Sequence, residues 1–284
     1  MAYKMGNLDR ANRMYQAALR FDSTNIQALR NLGMLANQEG DQDRARQYFE
    51  TAYQYDSTDA EVCNNLGAMH DQGGDLLKAL AFYRKAVALD STKVLFLVNI
   101  GNAYARNNQA ATALPYLKRA AHLRPRDKMI PYHLANCFAE MNMFDSSEHY
   151  YSRSVQQGGN NAILYYRLGL SRQNQGKIEQ AIGDFKQALS LRPRYPECQL
   201  SLANLYALLT RYDEAIKLLD EVLEAAPDLH VARISLGAAH ALSGHQIQAD
   251  SILQQLYQVD STLGQQMEQL ISAEVARLRS LMER

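Results

Sequence analysis

An aliphatic residue followed by a small one marks this chain at a fixed interval. Leu32-Gly33, Leu66-Gly67, Ile100-Gly101, Leu134-Ala135, Leu168-Gly169, Leu202-Ala203 and Leu236-Gly237 stand 34 residues apart. A second series, Ala45, Ala79, Ala113, Ser147, Ala181, Ala215 and Ala249, keeps the same phase. A third places a large side chain at Phe49, Tyr83, Leu117, Tyr151, Phe185, Leu219 and Leu253, with small residues returning at Ala52, Ala86, Ala120, Ser154 and Ala188. Within each interval the apolar positions fall at helical spacing, which predicts two short helices per unit. Gly inside a helix costs about 1 kcal/mol relative to Ala. Its return in five of the seven first helices, with Ala135 and Ala203 in the other two, therefore implies an approach that a large side chain would block. The Ala series is expected to face it and let two helices close, and the Phe/Tyr/Leu series to fill the gap between successive units.

The connections carry their own pattern. Asp22-Ser23-Thr24, Asp56-Ser57-Thr58, Asp90-Ser91-Thr92 and Asp260-Ser261-Thr262 share one phase, and Pro125, Pro193 and Pro227 sit there in other units. Pro stops the preceding helix, whereas Ser or Thr is expected to accept a bond from the first free N–H groups of the next. Gly40, Gly74, Gly176 and Gly244 mark the turn inside the units.

The period and its markers resemble the tetratricopeptide repeat, a 34-residue helix–turn–helix. The resemblance implies an all-α, right-handed α-solenoid. Residues 26–259 are read as seven repeats, starting at Ile26, Ala60, Val94, Lys128, Ala162, Pro196 and His230. Residues 1–25 fit a partial repeat, mainly its second helix with Ala11, Tyr15 and Ala18, and residues 260–284 a capping helix. The aromatic residue that opens the family's first helix is present only as Tyr165.

Two places depart from the pattern. The 128–161 unit has Ser147 and Ser154 at small positions and leaves through Gly158-Gly159-Asn160-Asn161, so it predicts the softest joint of a nearest-neighbour stack. After Thr262, Met267, Ile271, Val275, Leu278 and Met282 form one apolar stripe, with Gln266, Glu268, Gln269, Arg277 and Arg279 off it. That stripe predicts a helix covering the last repeat. The start has no matching cap, which points either to a truncation or to an exposed helix covered by something else.

Composition narrows the chemistry. Hydrophobic residues make up 47% of 284, too many for a disordered chain. Thirty basic residues balance thirty acidic ones, so no global field draws the chain to nucleic acid or to an anionic membrane. No apolar run is long enough to span a bilayer, and no direct membrane insertion is expected. The seven histidines include no pair four apart, the three cysteines form no CxxC, and no metal, cofactor or catalytic site is expected. Cys63, Cys137 and Cys198 are read as small apolar fillers. Unpaired cysteines suit a reducing cytoplasm, unless an upstream signal peptide is missing.

What the resemblance implies about function is a scaffold or adaptor, not an enzyme, that binds a protein or peptide in a concave groove lined by first helices. The family's groove positions fall here on Asn31, Asn65, Asn99, Asn102, His133, Asn136 and Arg167, with Leu95, Met129, Tyr132, Tyr166 and Leu170 beside them. An Asn amide donates and accepts, so stacked Asn residues can hold the backbone of an extended peptide. The apolar groove residues, Val98 and Leu200 among them, suggest a hydrophobic or helical segment, unless the C-terminal helix or a neighbouring copy covers them. The family's two-carboxylate clamp is not reproduced, because Val98, His133 and Ile163 replace three of its five residues. Other readings stay open: the recognition arm of a larger enzyme or secretion assembly, or homo-oligomerisation through the uncapped N-terminus.

Overall fold

The computed structural model describes residues 2–282. The described residues form sixteen α-helices and no strand. They divide into two compact units, Met1–Gln157 and Gly158–Arg284. The division falls at the Gly158-Gly159 exit. Ser147 and Ser154 beside it are fully buried, and the Ser154 hydroxyl donates to the Lys128 carbonyl at 2.6 Å. What the small polar residues remove there is apolar area, not burial.

The first unit opens with α1 (Ala2–Phe21). Four hairpins follow: α2 (Ile26–Glu39) with α3 (Gln42–Tyr55), α4 (Ala60–Gln72) with α5 (Leu76–Leu89), α6 (Val94–Arg106) with α7 (Ala110–Leu123), and α8 (Met129–Glu140) with α9 (Phe144–Gln156). The second unit has three hairpins: α10 (Ala162–Asn174) with α11 (Ile178–Leu191), α12 (Pro196–Leu208) with α13 (Tyr212–Ala225), and α14 (His230–Leu242) with α15 (Gln246–Val259). A long helix, α16 (Ser261–Met282), ends it.

The 34-residue spacing has a steric cause. A Cβ added to Gly33 would lie 2.6 Å from the Phe49 ring, one on Gly67 2.6 Å from Tyr83, and one on Gly169 2.6 Å from Phe185. Each large side chain thus sits on the glycine of its own hairpin, rather than filling a gap between successive units as the sequence suggested. Ala45, Ala79, Ala113 and Ala181 beside these contacts are fully buried. Inside each hairpin the turn residue is left-handed. Gly40, Gly74, Gly176 and Gly244 have φ of 73–85°, and Asn108, Asn142 and Thr210 adopt the same region at the equivalent positions. Asn tolerates that region; the β-branched Thr210 is strained there.

The linkers work differently from the sequence expectation. Asp56 Oδ1 accepts both the Thr58 N–H at 2.8 Å and the Thr58 hydroxyl at 2.6 Å, and Asp22, Asp90 and Asp260 repeat this turn with Thr24, Thr92 and Thr262. The Ser-Thr pair therefore closes its own turn and is not the cap. After the first two of these linkers capping falls to the residue before the helix: Asn25 accepts from the Ala28 N–H and Asp59 from the Val62 N–H, both at 2.9 Å, whereas Lys93 after the third makes no side-chain cap. At the fourth repeat Lys128 does not begin a helix; α8 starts at Met129, and Asp127 accepts from the Met129 N–H at 2.8 Å.

The last helix breaks the repeat. Elsewhere an Asp-Ser-Thr turn is followed by a further residue before the helix, whereas α16 begins at Ser261, directly after Asp260. The shift changes what fills the final glycine socket. Next to Gly237 lie the Met267 sulfur and methyl, 2.5 Å from a built Cβ, and Ile252, where the sequence pattern names Leu253. Met267 is 1% exposed. Ile271, Val275 and Leu278 continue the half-buried stripe; the Met282 and Arg279 side chains lie outside the described residues. Arg277, expected on the solvent side, is half-buried and turned inwards.

Candidate partner-binding face of the first helices

In the first unit, residues four and then three apart stack along one face of each first helix. They are Asn31 and Met34 on α2, Asn65 and Ala68 on α4, Leu95, Asn99 and Asn102 on α6, and Met129, His133 and Asn136 on α8. The asparagines and His133 are half-buried, while Leu95 is 60% exposed, Met34 53% and Met129 44%. The face is thus a row of amides edged with open apolar side chains.

Not every amide in that row is free for a ligand. Asn99 Nδ2 donates to the buried Asn64 Oδ1 at 2.8 Å, joining α6 to α4, and Asn136 Oδ1 accepts from the Tyr151 hydroxyl at 2.5 Å. Asn64, off the stripe, is the residue whose role sequence reasoning missed. Its signal was its place one residue before Asn65 in a helix whose other inward positions are apolar. Tyr132 rests against Tyr151 and His133, with ring centroids 5.8 and 5.6 Å away. Burial pushes the His133 imidazole below its ordinary range despite Asp127 nearby, which favours its neutral form.

Charges on this unit's first helices are mostly spent internally. Arg30 binds Asp59 at 2.9 Å and Glu61 at 3.2 Å, Lys93 reaches the same Glu61 at 3.2 Å, and Arg106 pairs with Asp71. A carboxylate ligand would have to displace these partners.

The second unit carries Tyr166, Arg167 and Leu170, so the expected site residues are shared between the two units. Tyr166 packs on Phe185 and Tyr195, with centroids 5.8 and 5.0 Å away, and Leu170 and Leu200 lie against the same core. Val98 in the first unit is likewise packed against its core. Val98, Tyr166, Leu170 and Leu200 are thus partly buried against the cores of their own units, which reduces what they can offer a ligand. Leu95, Met129 and Ile163 remain exposed, and Arg167 is exposed on α10.

On α12 and α14 the equivalent stripe meets α16. Asn204, Ser235 and Ala238 line a cavity of about 280 Å³ whose other wall is Leu270 and Glu274. Arg277 Nη2 donates to the Leu208 carbonyl at the end of α12 at 2.8 Å, and Glu274 holds that guanidinium in place at 2.9 Å. Glu274 also adds to the burial that pushes the nearby Tyr212 phenol up. One helix of the chain thus lies over the first-helix stripe of two others.

The cysteines offer no chemistry to the face. All three are buried, and burial pushes the Cys137 and Cys198 thiols up to about 12, so they stay protonated. Among the described residues no group of His, Cys, Asp or Glu could hold a metal ion, and no helix is long and apolar enough to cross a membrane.

Family models agree with this geometry. Tetratricopeptide repeat models match residues 2–61 and 98–162, 60–93, and 174–239. The chain belongs to the tetratricopeptide repeat family. Solved structures with the same fold include YrrB, described as a tetratricopeptide repeat protein with an unusual peptide-binding site. It is 22% identical, with a TM-score of 0.56 over 65% of this chain and 95% of that one. PilW, a type IV pilus biogenesis factor, is 16% identical with a TM-score of 0.64 over 75% of this chain and 98% of its own. The Cut9–Hcn1 hetero-tetramer of the APC/C gives 16% and 0.65, over 83% of this chain and 46% of the matched one. At these identities the likeness is one of fold.

Proposed function

We propose that this tetratricopeptide repeat protein is a non-catalytic interaction scaffold whose first unit holds a helical or extended partner segment along the faces of α2, α4, α6 and α8. The observation that carries the reading is α16. Within the second unit, the stripe equivalent to Leu95-Asn99-Asn102 takes a helix that contributes an apolar side chain, a carboxylate and a guanidinium bonded to a backbone carbonyl. A partner on the first unit would find Leu95 and Met129 for apolar contact, and Asn31, Asn65 and Asn102 for bonds to its backbone or polar side chains.

The test uses side chains that the fold does not need. Asn99 and Tyr132 are tied to Asn64 and Tyr151, so their replacement would mix folding with binding. Affinity capture from source cells with a Leu95→Ala, Asn102→Ala, Met129→Ala variant avoids this. Loss of a partner at unchanged helicity and melting temperature is expected. Equal recovery of every partner would sink the reading.

A further inference from the structure

The balanced net charge conceals two faces of opposite sign on the second helices. Between Leu76 and Arg126 the only carboxylate is Asp90. On α7, Lys118, Arg119 and His122 are exposed, followed by exposed Arg124 and Arg126. The adjoining α9 adds Arg153, and Lys118, His122 and Arg153 line one cavity of about 470 Å³ with Tyr150 and Pro125. These cations are held by neutral groups. Arg119 donates to the Ser91 hydroxyl at 2.9 Å, Arg153 to the Pro125 carbonyl at 3.2 Å, and Lys118 lies 5.8 Å from the Phe138 ring centre. The two arginines make equivalent contacts in successive repeats, so the positive face spans α7 and the Arg153 end of α9, whose earlier turns carry Asp145 and Glu148.

On α13 the sign is reversed. Between Tyr212 and Asp228 the only cation is Lys217, and Asp213, Glu214, Asp220, Glu221 and Glu224 are all exposed. Asp213 and Asp220 stand seven residues apart, as do Glu214, which pairs with Arg211, and Glu221, which accepts from Gln199 Nε2 at 3.0 Å. Two helical turns separate such carboxylates by about 10.5 Å. A helix of this pattern can offer carboxylates from two successive turns of one face to the cations of the first unit.

We infer that this protein associates with a second copy of itself, the acidic face of α13 on one protomer seating on the basic face of α7 and α9 on another. The contact joins unlike faces, so a single contact leaves one of each unused: where both close at once a two-fold dimer results, and otherwise rings or open chains. Groove binding on the first helices is a separate matter, because these faces belong to the second helices.

Sedimentation velocity on the full chain over a concentration series tests the inference, at about 0.05 M salt and at about 1 M, where the screening length falls to about 3 Å. Mass rising with concentration at low salt and collapsing to the monomer at high salt is expected. Lys118→Glu/Arg119→Glu and Asp220→Lys/Glu221→Lys should each weaken association about tenfold or more, since like charges now meet. Mixing the two variants should restore association, with circular dichroism confirming that both are folded. A monomer at every concentration and salt, or association untouched by either reversal, overturns the inference. So does association that disappears on nuclease treatment, or basic-face binding to anionic vesicles without self-association.

Discussion

The same helical stripe has two fates in this molecule. On α12 and α14 it is overlaid by α16, whose Leu270 and Glu274 wall a cavity against Asn204 and Ser235. On α6 and α8 it is edged by Leu95 and Met129, which are open. The difference does not come from the first helices, whose stripes are alike in spacing. It comes from one linker: starting at Ser261, α16 puts Met267 over Gly237, where the repeat pattern names Leu253, and carries Leu270 and Arg277 over the neighbouring helices. The lesson is that in a repeat protein a small shift in register can lay a capping helix over the face of the first helices.

The contrast can be broken at its anchor. Met267→Ala removes a fully buried side chain from the Gly237 socket and should cost about 2–5 kcal/mol. Calorimetry should show the loss, and hydrogen exchange should place it on α16 and α14 while the first unit keeps its protection. Uniform deprotection of both units would show that α16 is not a local clasp.

A gentler change sharpens it. Arg277→Ala deletes the bond to the Leu208 carbonyl and the pairing with Glu274, and is expected to cost about 0.5–1.5 kcal/mol. Faster proteolytic clipping near residue 277, with the melting temperature almost unchanged, is the expected readout. Unchanged clipping would mean that the guanidinium does not hold the end of α16 down.

The smallest effect separates the units by pH. Bonds from the Thr hydroxyl and N–H hold the Asp22, Asp56 and Asp90 carboxyls below their ordinary value in the first unit, and Asp260 in the second. A carboxyl lowered by folding stabilises above its unfolded value of about 4 and loses that contribution as pH falls through the folded value. Pro193 and Pro227 occupy the equivalent linkers of the second unit and do not titrate. Acidification below about pH 4 should therefore loosen α2, α4 and α6 before α12 and α14. Asp56→Asn/Asp90→Asn should flatten that dependence, and identical acid profiles for both units would contradict the assignment.

The helices and their pairing were legible because close packing repeats a small residue against a large one, and Gly33 against Phe49 or Gly67 against Tyr83 leaves the same mark each time. Caps were misread because Ser and Thr can play either part in a linker; only geometry shows that Asp56 keeps Thr58 and leaves capping to Asp59. The stripe positions follow from the repeat spacing, yet Asn99, Tyr166 and Leu170 are engaged by neighbours that no spacing rule identifies. Met267 was placed on the covering face of α16, but its socket was not foreseen. An out-of-phase Leu263-Gly264 pair was the available signal that the register had changed.

The most direct measurement is site-specific photo-crosslinking in the source cells, with the probe at Leu95 on α6 or at Ser235 on α14. The account predicts that the Leu95 probe captures a partner protein, whereas the Ser235 probe links mainly within the chain, to α16 around Leu270. Partner capture from Ser235 with none from Leu95 would contradict it.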